Sequence, residues 1–274
     1  MDLFRFADAK VELFFESAKY LLAFFLKISI FAVMLHKTRA IVLHQTNYND
    51  HYSIVHVYTE AFGPVAYLMA KNKGKTTRVP KAIFYPMSVV DLEVEHQNLR
   101  EIHRIKEAKA HLPLLSLLMN PVKMTICIFL AEVISKVLKD RQPDALLFDF
   151  LVQSIQVLDL NEAQSANFPL SFLIRLSRFT GFYPDNSAYQ KGMFFDMQNG
   201  IFVRQKPHHI HFLNPDESEV FYNLLRMTYE NMNGFSFSRY ERQTILNRIL
   251  EYYRIHLNSL PEIKSLEILH EVFG

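Results

Sequence analysis

"TRAIVLHQTNYNDHYSIVHVYTEAFGPVAYLMAKNKGK", residues 38–75, decides the fold. Apolar and polar residues alternate through "TRAIVLHQ", and "YSIVHVYTE" is rich in β-branched and aromatic side chains, so both read as strands. The tetrad "NYND" reads as a turn, and Phe62, Gly63 and Pro64 punctuate the chain before a third strand, "VAYLMAK". Downstream, "FYPMSVVDLEVEH" sets Val89, Leu92 and Val94 against Asp91, Glu93 and Glu95, a strand with one wet face, and "LREIHRIKEAK" supplies a fifth. Five strands joined by short connections predict a small closed barrel rather than a sandwich.

Past Leu112 the apolar spacing becomes helical. "PVKMTICIFLAEVISKVLKD", "DALLFDFLVQSIQVLDL" and "PLSFLIRLSRFTGF" read as three helices, the first with Pro121 in its opening turn and the third closed by Gly181. "KGMFFDMQNGIFVRQ" (191–205) reads as a hairpin turning at Asn199-Gly200. Two further helices and a short final one complete the chain. The expected fold is therefore α+β: an N-terminal five-stranded barrel (34–111), then a mainly α-helical domain (112–274) with a small β-hairpin insertion. Residues 1–33 stand apart, with acids ahead of an apolar stretch that Lys27 interrupts. They read either as an upstream extension of the frame before Met34 or as an amphipathic helix. The stretch 20–33 is too short to cross a bilayer, so no stable membrane insertion is expected.

A chain of 274 residues that is 50% hydrophobic and 21% charged is a folded globular protein with room for two domains. Its net charge of +2 draws little polyanion by itself, so the placement of charge matters. Between positions 71 and 81 lie Lys71, Lys73, Lys75, Arg78 and Lys81 with no acid among them, and Gly74 and Pro80 mark the segment as a loop. The single cysteine, Cys127, sits in an apolar helix; it allows no disulfide framework and fits a reducing cytoplasm. P-loop, G-x-S-x-G and H-E-x-x-H patterns are missing, so no enzyme and no cofactor are expected. His209 and His211 alone do not close a metal site.

Taken together, residues 38–75 resemble the opening of the RecO family of recombination mediators. The likeness lies in Ile41-Val42-Leu43, a turn with Tyr48, the Thr59-to-Gly63 corner, and Ala70-Lys71 leading into a basic loop. "YPMSVVDLEV", "LIRLSRFTGFYPD" and "IKSLEIL" are similar to later family segments, so the likeness runs from about Leu35 to the end. Many members carry a four-cysteine zinc site after the "GYxPD" helix; this chain has none of those cysteines, so no metal is expected.

The resemblance implies an OB-fold-like barrel that binds single- and double-stranded DNA, anneals complementary strands and helps load RecA recombinase on coated single strands. It also implies RecR and the C-terminal tail of single-strand-binding protein as partners, and a cytoplasmic, nucleoid-associated location. The expected DNA-binding residues are the loop cations with Lys37 and Arg39 of the first strand. Tyr48, Tyr52 and Tyr67 suit base stacking, and suit half-buried sheet positions equally. Arg141, Arg175 and Arg178 near apolar helix surfaces suit the acidic tail, or their stems simply cover helix surface. Two other readings stay open: a metal-dependent nuclease using the acids of the fourth strand, and a membrane-associated interaction protein using residues 20–33.

Overall fold

The structure, a computed structural model, describes Lys19 and residues 35–71, 79–96, 102–161, 165–257 and 260–272. Apart from Lys19, the segment 1–33 lies outside these residues, as do positions 72–78 of the basic loop and the undescribed link 97–101.

Strands β1 (Leu35–Asn47), β2 (Tyr52–Thr59), β3 (Gly63–Ala70), β4 (Val89–Glu95) and β5 (Ile102–Ala110) form a closed barrel in the order β1-β2-β3-β5-β4. Every pairing is antiparallel except β3 with β5, whose parallel contact Ala66–Leu68 against Ile102–Arg104 seals the barrel. Val42, Val57, Tyr67, Met69, Leu92 and Ile105 fill the interior. Period-two alternation puts the other side chains outside, where an isolated barrel would meet water.

Much of that outside is not wet. Ile41, Leu43 and Tyr58, which face away from the barrel interior, are buried together with Phe129, Leu130 and Phe148 of the helical body. That body comprises α1 (Leu115–Met119), α2 (Pro121–Val137), α3 (Ala145–Leu160), α4 (Phe168–Thr180), α5 (Pro215–Leu225), α6 (Arg239–His256) and α7 (Ser265–Val272). Local chemistry fixes the helix ends. The Asn120 side chain accepts from the Val122 and Lys123 amides, Asp144 caps α3, and Ser238 and Glu241 form a capping box on α6. Gly181, at φ 88°, ends α4. The expected hairpin is part of a three-stranded sheet, because β8 (Phe212–Leu213) pairs with β6 (Phe194–Asp196) on the side opposite β7 (Ile201–Val203). Cys127 is fully buried, and burial pushes its thiol up to about 12, which makes it a core residue.

Two contacts lock the assembly. At the β2–β3 corner the Thr59 hydroxyl donates to the Gly63 carbonyl (2.9 Å) and accepts from the Phe62 amide (3.0 Å). Gly63 sits at φ 68°, and a Cβ there would stand 3.0 Å from the Arg141 carbonyl oxygen. Only glycine lets the corner approach the α2–α3 connection so closely. At the far side, Glu132 of α2 accepts from the Lys264 and Ser265 amides (3.0 and 2.8 Å), the Ser265 hydroxyl and Lys136 (both 2.5 Å), and so holds the start of α7. Burial pushes this carboxyl up, but the bonds from Lys136 and Ser265 win and hold it at about 2.

Gly63→Ala should lower thermal stability by about 1–3 kcal/mol. Gly192→Ala, also at positive φ but with nothing within 4 Å of the added Cβ, should cost less. Equal losses in calorimetry would remove the close approach as the cause. Acid should act in two stages. His96 is stacked between Phe62 and His103, each 3.9 Å away, and burial and then the charge of His36 lower its pKa. The unfolded chain therefore takes up this proton first, and stability should begin to fall as pH drops below about 6.5. The Glu132 contribution, complete above the ordinary carboxylate range, should be lost only as pH falls toward 2. His44, His56 and His270 are lowered by burial as well and share this stage, so His96→Phe should shrink it in a melting-temperature profile; an unchanged profile would exclude His96 as a contributor.

Candidate nucleic-acid interface

Helix packing leaves the barrel two open outer faces of contrasting charge. The first spans β1, β4 and β5, where a groove of about 580 Å³ is lined by Lys37, Arg39, Glu60, Asp91, Glu93 and Lys109 among others. Its charges pair with one another. Asp91 meets His111 Nδ1 at 2.9 Å and Lys109 Nζ at 3.5 Å, and Glu93 meets Lys37 Nζ at 3.9 Å. Glu95, on the same strand, meets Lys106 at 2.5 Å. The three acids of the fourth strand, on which the nuclease reading rests, thus each face a cation, and among the described residues no group of three His, Cys, Asp or Glu converges on a metal position.

Arg39, expected at the DNA surface, bridges the barrel to the helical body instead. Its Nε and Nη2 donate to Glu60 (2.9 and 2.7 Å), Nη2 also reaches Asp149 of α3 (3.3 Å), and the guanidinium lies over Phe148. The bond to Glu60 raises its pKa despite partial desolvation, so its charge is already matched within the fold. Lys37 is 86% exposed, but it stands among the acids of this groove.

The second face, over β2, β3 and the start of β5, differs in kind. Its outward positions are Tyr52, Ile54 and His56 on β2, then Pro64, Ala66, Leu68 and Ala70 on β3, all half-buried and none acidic. The ladder sets Tyr52 beside Ala70, Ile54 beside Leu68 and His56 beside Ala66. Exposed Ile102 and Arg104 extend the strip across the β3–β5 seam, and Arg104 makes no ion pair among the described residues. The result is an apolar, aromatic floor with cations at its edges, the kind of surface on which unpaired bases can stack.

One end of this floor meets the basic loop. The Lys71 amide donates to the His51 carbonyl (2.7 Å), and Lys71 Nζ donates to the Asn49 carbonyl (2.7 Å). Asn49 organises the turn, its side-chain oxygen accepting from the His51 and Tyr52 amides. Tyr48 (60% exposed), Tyr52 and Lys71 are thereby brought together, and Lys81 stands exposed where the loop rejoins the fold. Lys73, Lys75 and Arg78 lie outside the described residues. Tyr67 does not join them: it is fully buried inside the barrel, and burial raises its phenol pKa, so its ring is core rather than platform. Sequence reasoning missed Arg104, because only the parallel β3–β5 closure places it beside β3.

In the helical body the three arginines expected to meet a partner tail all have internal contacts. Arg141 Nη2 donates to the Thr180 carbonyl (2.9 Å), Arg175 lies 4.7 Å over Tyr229, and Arg178 lies over Tyr183 and donates to its hydroxyl (3.0 Å). A different pair, Arg239 and Arg242 of the first turn of α6, borders a shallow groove floored by Pro169, Leu170, Leu246 and Leu269. Arg239 donates to the His270 carbonyl and Arg242 to that of Phe237, and neither meets a carboxylate among the described residues. His209 and His211 do not share a strand face; they lie against separate carboxylates, Asp196 at 3.2 Å and Glu251 at 3.6 Å.

Arg104→Ala and Lys81→Ala should each weaken binding of a fluorescent single strand and flatten its log–log salt slope by about 0.7. Lys109→Ala, on the charge-paired groove, should leave both nearly unchanged. The reverse ranking would put the strand on the other face.

Family models agree with this anatomy. "Recombination protein O N terminal" matches residues 34–113 and "Recombination protein O C terminal" matches residues 119–267. The DNA repair protein RecO of Azobacteroides pseudotrichonymphae is 60% identical over 240 residues, which is 88% of this chain and 100% of that protein. RecO of Phocaeicola vulgatus is 40% identical over 241 residues (88% and 100%), and RecO of Flavobacterium psychrophilum 33% over 240 (87% and 99%). With this barrel, this helical body and relatives matched over nearly their full lengths, the chain belongs to the RecO family of DNA repair proteins.

Proposed function

We propose that this protein is a non-enzymatic recombination mediator that holds DNA across the β2–β3–β5 face and the basic loop. The observation that carries the reading is the acid-free outer surface of β2 and β3 running to Lys71, on a barrel whose other open face has its charges paired. A phosphate chain gains counterion release from the loop and Arg104, while bases rest on Tyr48, Tyr52 and the aliphatic floor. Annealing then needs no reacting group. Two strands repel at close range, and a cationic surface that screens the repulsion lets bases pair.

The mediator role needs access to strands coated with single-strand-binding protein. The groove at Arg239 and Arg242 suits an acidic tail ending in an aromatic residue: two guanidiniums for the carboxylates above an aliphatic floor for the ring. In this reading the protein works at the nucleoid with RecR and helps RecA replace single-strand-binding protein. No helix among the described residues is long and apolar enough to cross a membrane. The nuclease reading is the weaker one, because Asp91, Glu93 and Glu95 each face a cation rather than one another.

Replacing Lys71, Lys73, Lys75, Arg78 and Lys81 together with Ala tests the reading. The five cations should contribute a single-strand salt slope of about −3.5, and the variant should lose most of it for every sequence. Undiminished affinity and slope in a folded variant would reject the loop as the phosphate site. Arg239→Ala with Arg242→Ala should abolish binding of the acidic tail peptide and spare DNA binding.

A further inference from the structure

His44 of β1 and His56 of β2 are cross-strand partners, with rings stacked 4.1 Å apart and only 14° from parallel. A break in register after Val42 turns the His44 side chain to the outside, where it is exposed, while His56 is half-buried beneath it. Beside the pair, a cleft of about 160 Å³ opens between the barrel and the end of α2, lined by His56, Val65, Ala66, Ser135, Leu138 and Lys139. Lys139 is exposed and meets no carboxylate among the described residues. From the Lys71 end of the floor the pair lies four residues along β2, ~13 Å at strand rise, so one extended strand spans both.

We propose that the stacked rings of His44 and His56 form a nucleobase platform at the far end of the β2–β3 face, with Lys139 holding the adjoining phosphate. The inference rests on the DNA-binding reading above and adds a second base-contacting end to it. A planar pair already in van der Waals register presents one open π face, and a base laid on it extends the stack without choosing among bases. Burial lowers the pKa of both imidazoles. The His56 charge lowers that of His44 further, with Glu132 acting the other way. At neutral pH the rings are thus uncharged and act as aromatic surface, while Lys139 supplies the cation.

The test compares oligothymidylate with an abasic strand of the same length and charge, measured by fluorescence anisotropy on the full chain. Substituting both histidines (H44A with H56A) should cut the preference for thymine over abasic strand about tenfold, at the lower end of one base–aromatic contact, and leave abasic affinity unchanged. H44F with H56F should restore the preference, and K139A should weaken both strands alike. If the double alanine variant does not fold, H44A alone, on the exposed ring, is read in the same way. An unchanged preference in the alanine variant, or an equal loss on both strands, overturns the platform. The five-cation loop variant separates the two proposals: it should weaken both strands while the thymine preference survives. Wild-type protein that binds neither strand would defeat the DNA-binding reading itself, and the platform with it.

Discussion

The close seating of the barrel against the helical body is the constraint on which the rest depends. Ile41, Leu43 and Tyr58 are outward residues of a barrel yet inward residues of a larger core, shared with α2 and α3. Burying each such side chain is worth about 1.5–3 kcal/mol, so each of these outer-wall residues contributes as much as one buried in the barrel interior. The approach is possible because Gly63 carries no Cβ where the Arg141 carbonyl comes near. Thr59 then fixes the corner through two hydrogen bonds of its single hydroxyl. The Thr59-to-Gly63 resemblance noted in the sequence is therefore a packing requirement, and it orients the barrel by choosing which faces remain open.

Charge pairing completes that choice. On the β1–β4–β5 side, cations and carboxylates alternate across neighbouring strands and neutralise one another at 2.5–3.9 Å. Exposed pairs of this kind add little stability, roughly 0–1 kcal/mol each, but they leave no net field for a polyanion. On the β2–β3 side the outward residues are apolar or aromatic, and the cations at the margins, Lys71 and Arg104, meet no carboxylate among the described residues. A polyanion therefore gains most where the protein has spent least of its positive charge internally. Arg39 illustrates the distinction: it is as cationic as Arg104, but Glu60 and Asp149 already occupy its donors.

Much of this architecture was legible in the sequence, and the reasons are local. Period-two alternation in 38–71 marks three strands within a few residues of their observed ends, because one face of each is buried in a barrel. Pro121 and Gly181 act as helix signals through the backbone angles they favour, the one preset for a first turn and the other free to take positive φ. What escaped was non-local. Tyr67 and Tyr52 look alike in a strand pattern, and only the pairing of β2 with β3, which sets which side of each strand faces the interior, separates core ring from surface ring. Arg39 and Arg104 are both strand cations, and no spacing rule says that one finds Glu60 and Asp149 while the other faces solvent. The register break that turns His44 outward beside His56, and the third strand Phe212–Leu213, follow from pairing partners far along the chain. The "IKSLEIL" segment stands out by its resemblance, but its role as the anchor of α7 on Glu132 depends on a partner more than a hundred residues away.

Crosslinking shows where on the barrel a bound strand touches. Single strands carrying a photoreactive thymine analogue can be crosslinked to the full chain and the attached peptides identified by mass spectrometry. Attachment is expected within residues 44–71 and 102–104, along β2, β3 and the start of β5. Attachment concentrated at residues 91–95 and 106–109, on the charge-paired groove, would contradict it.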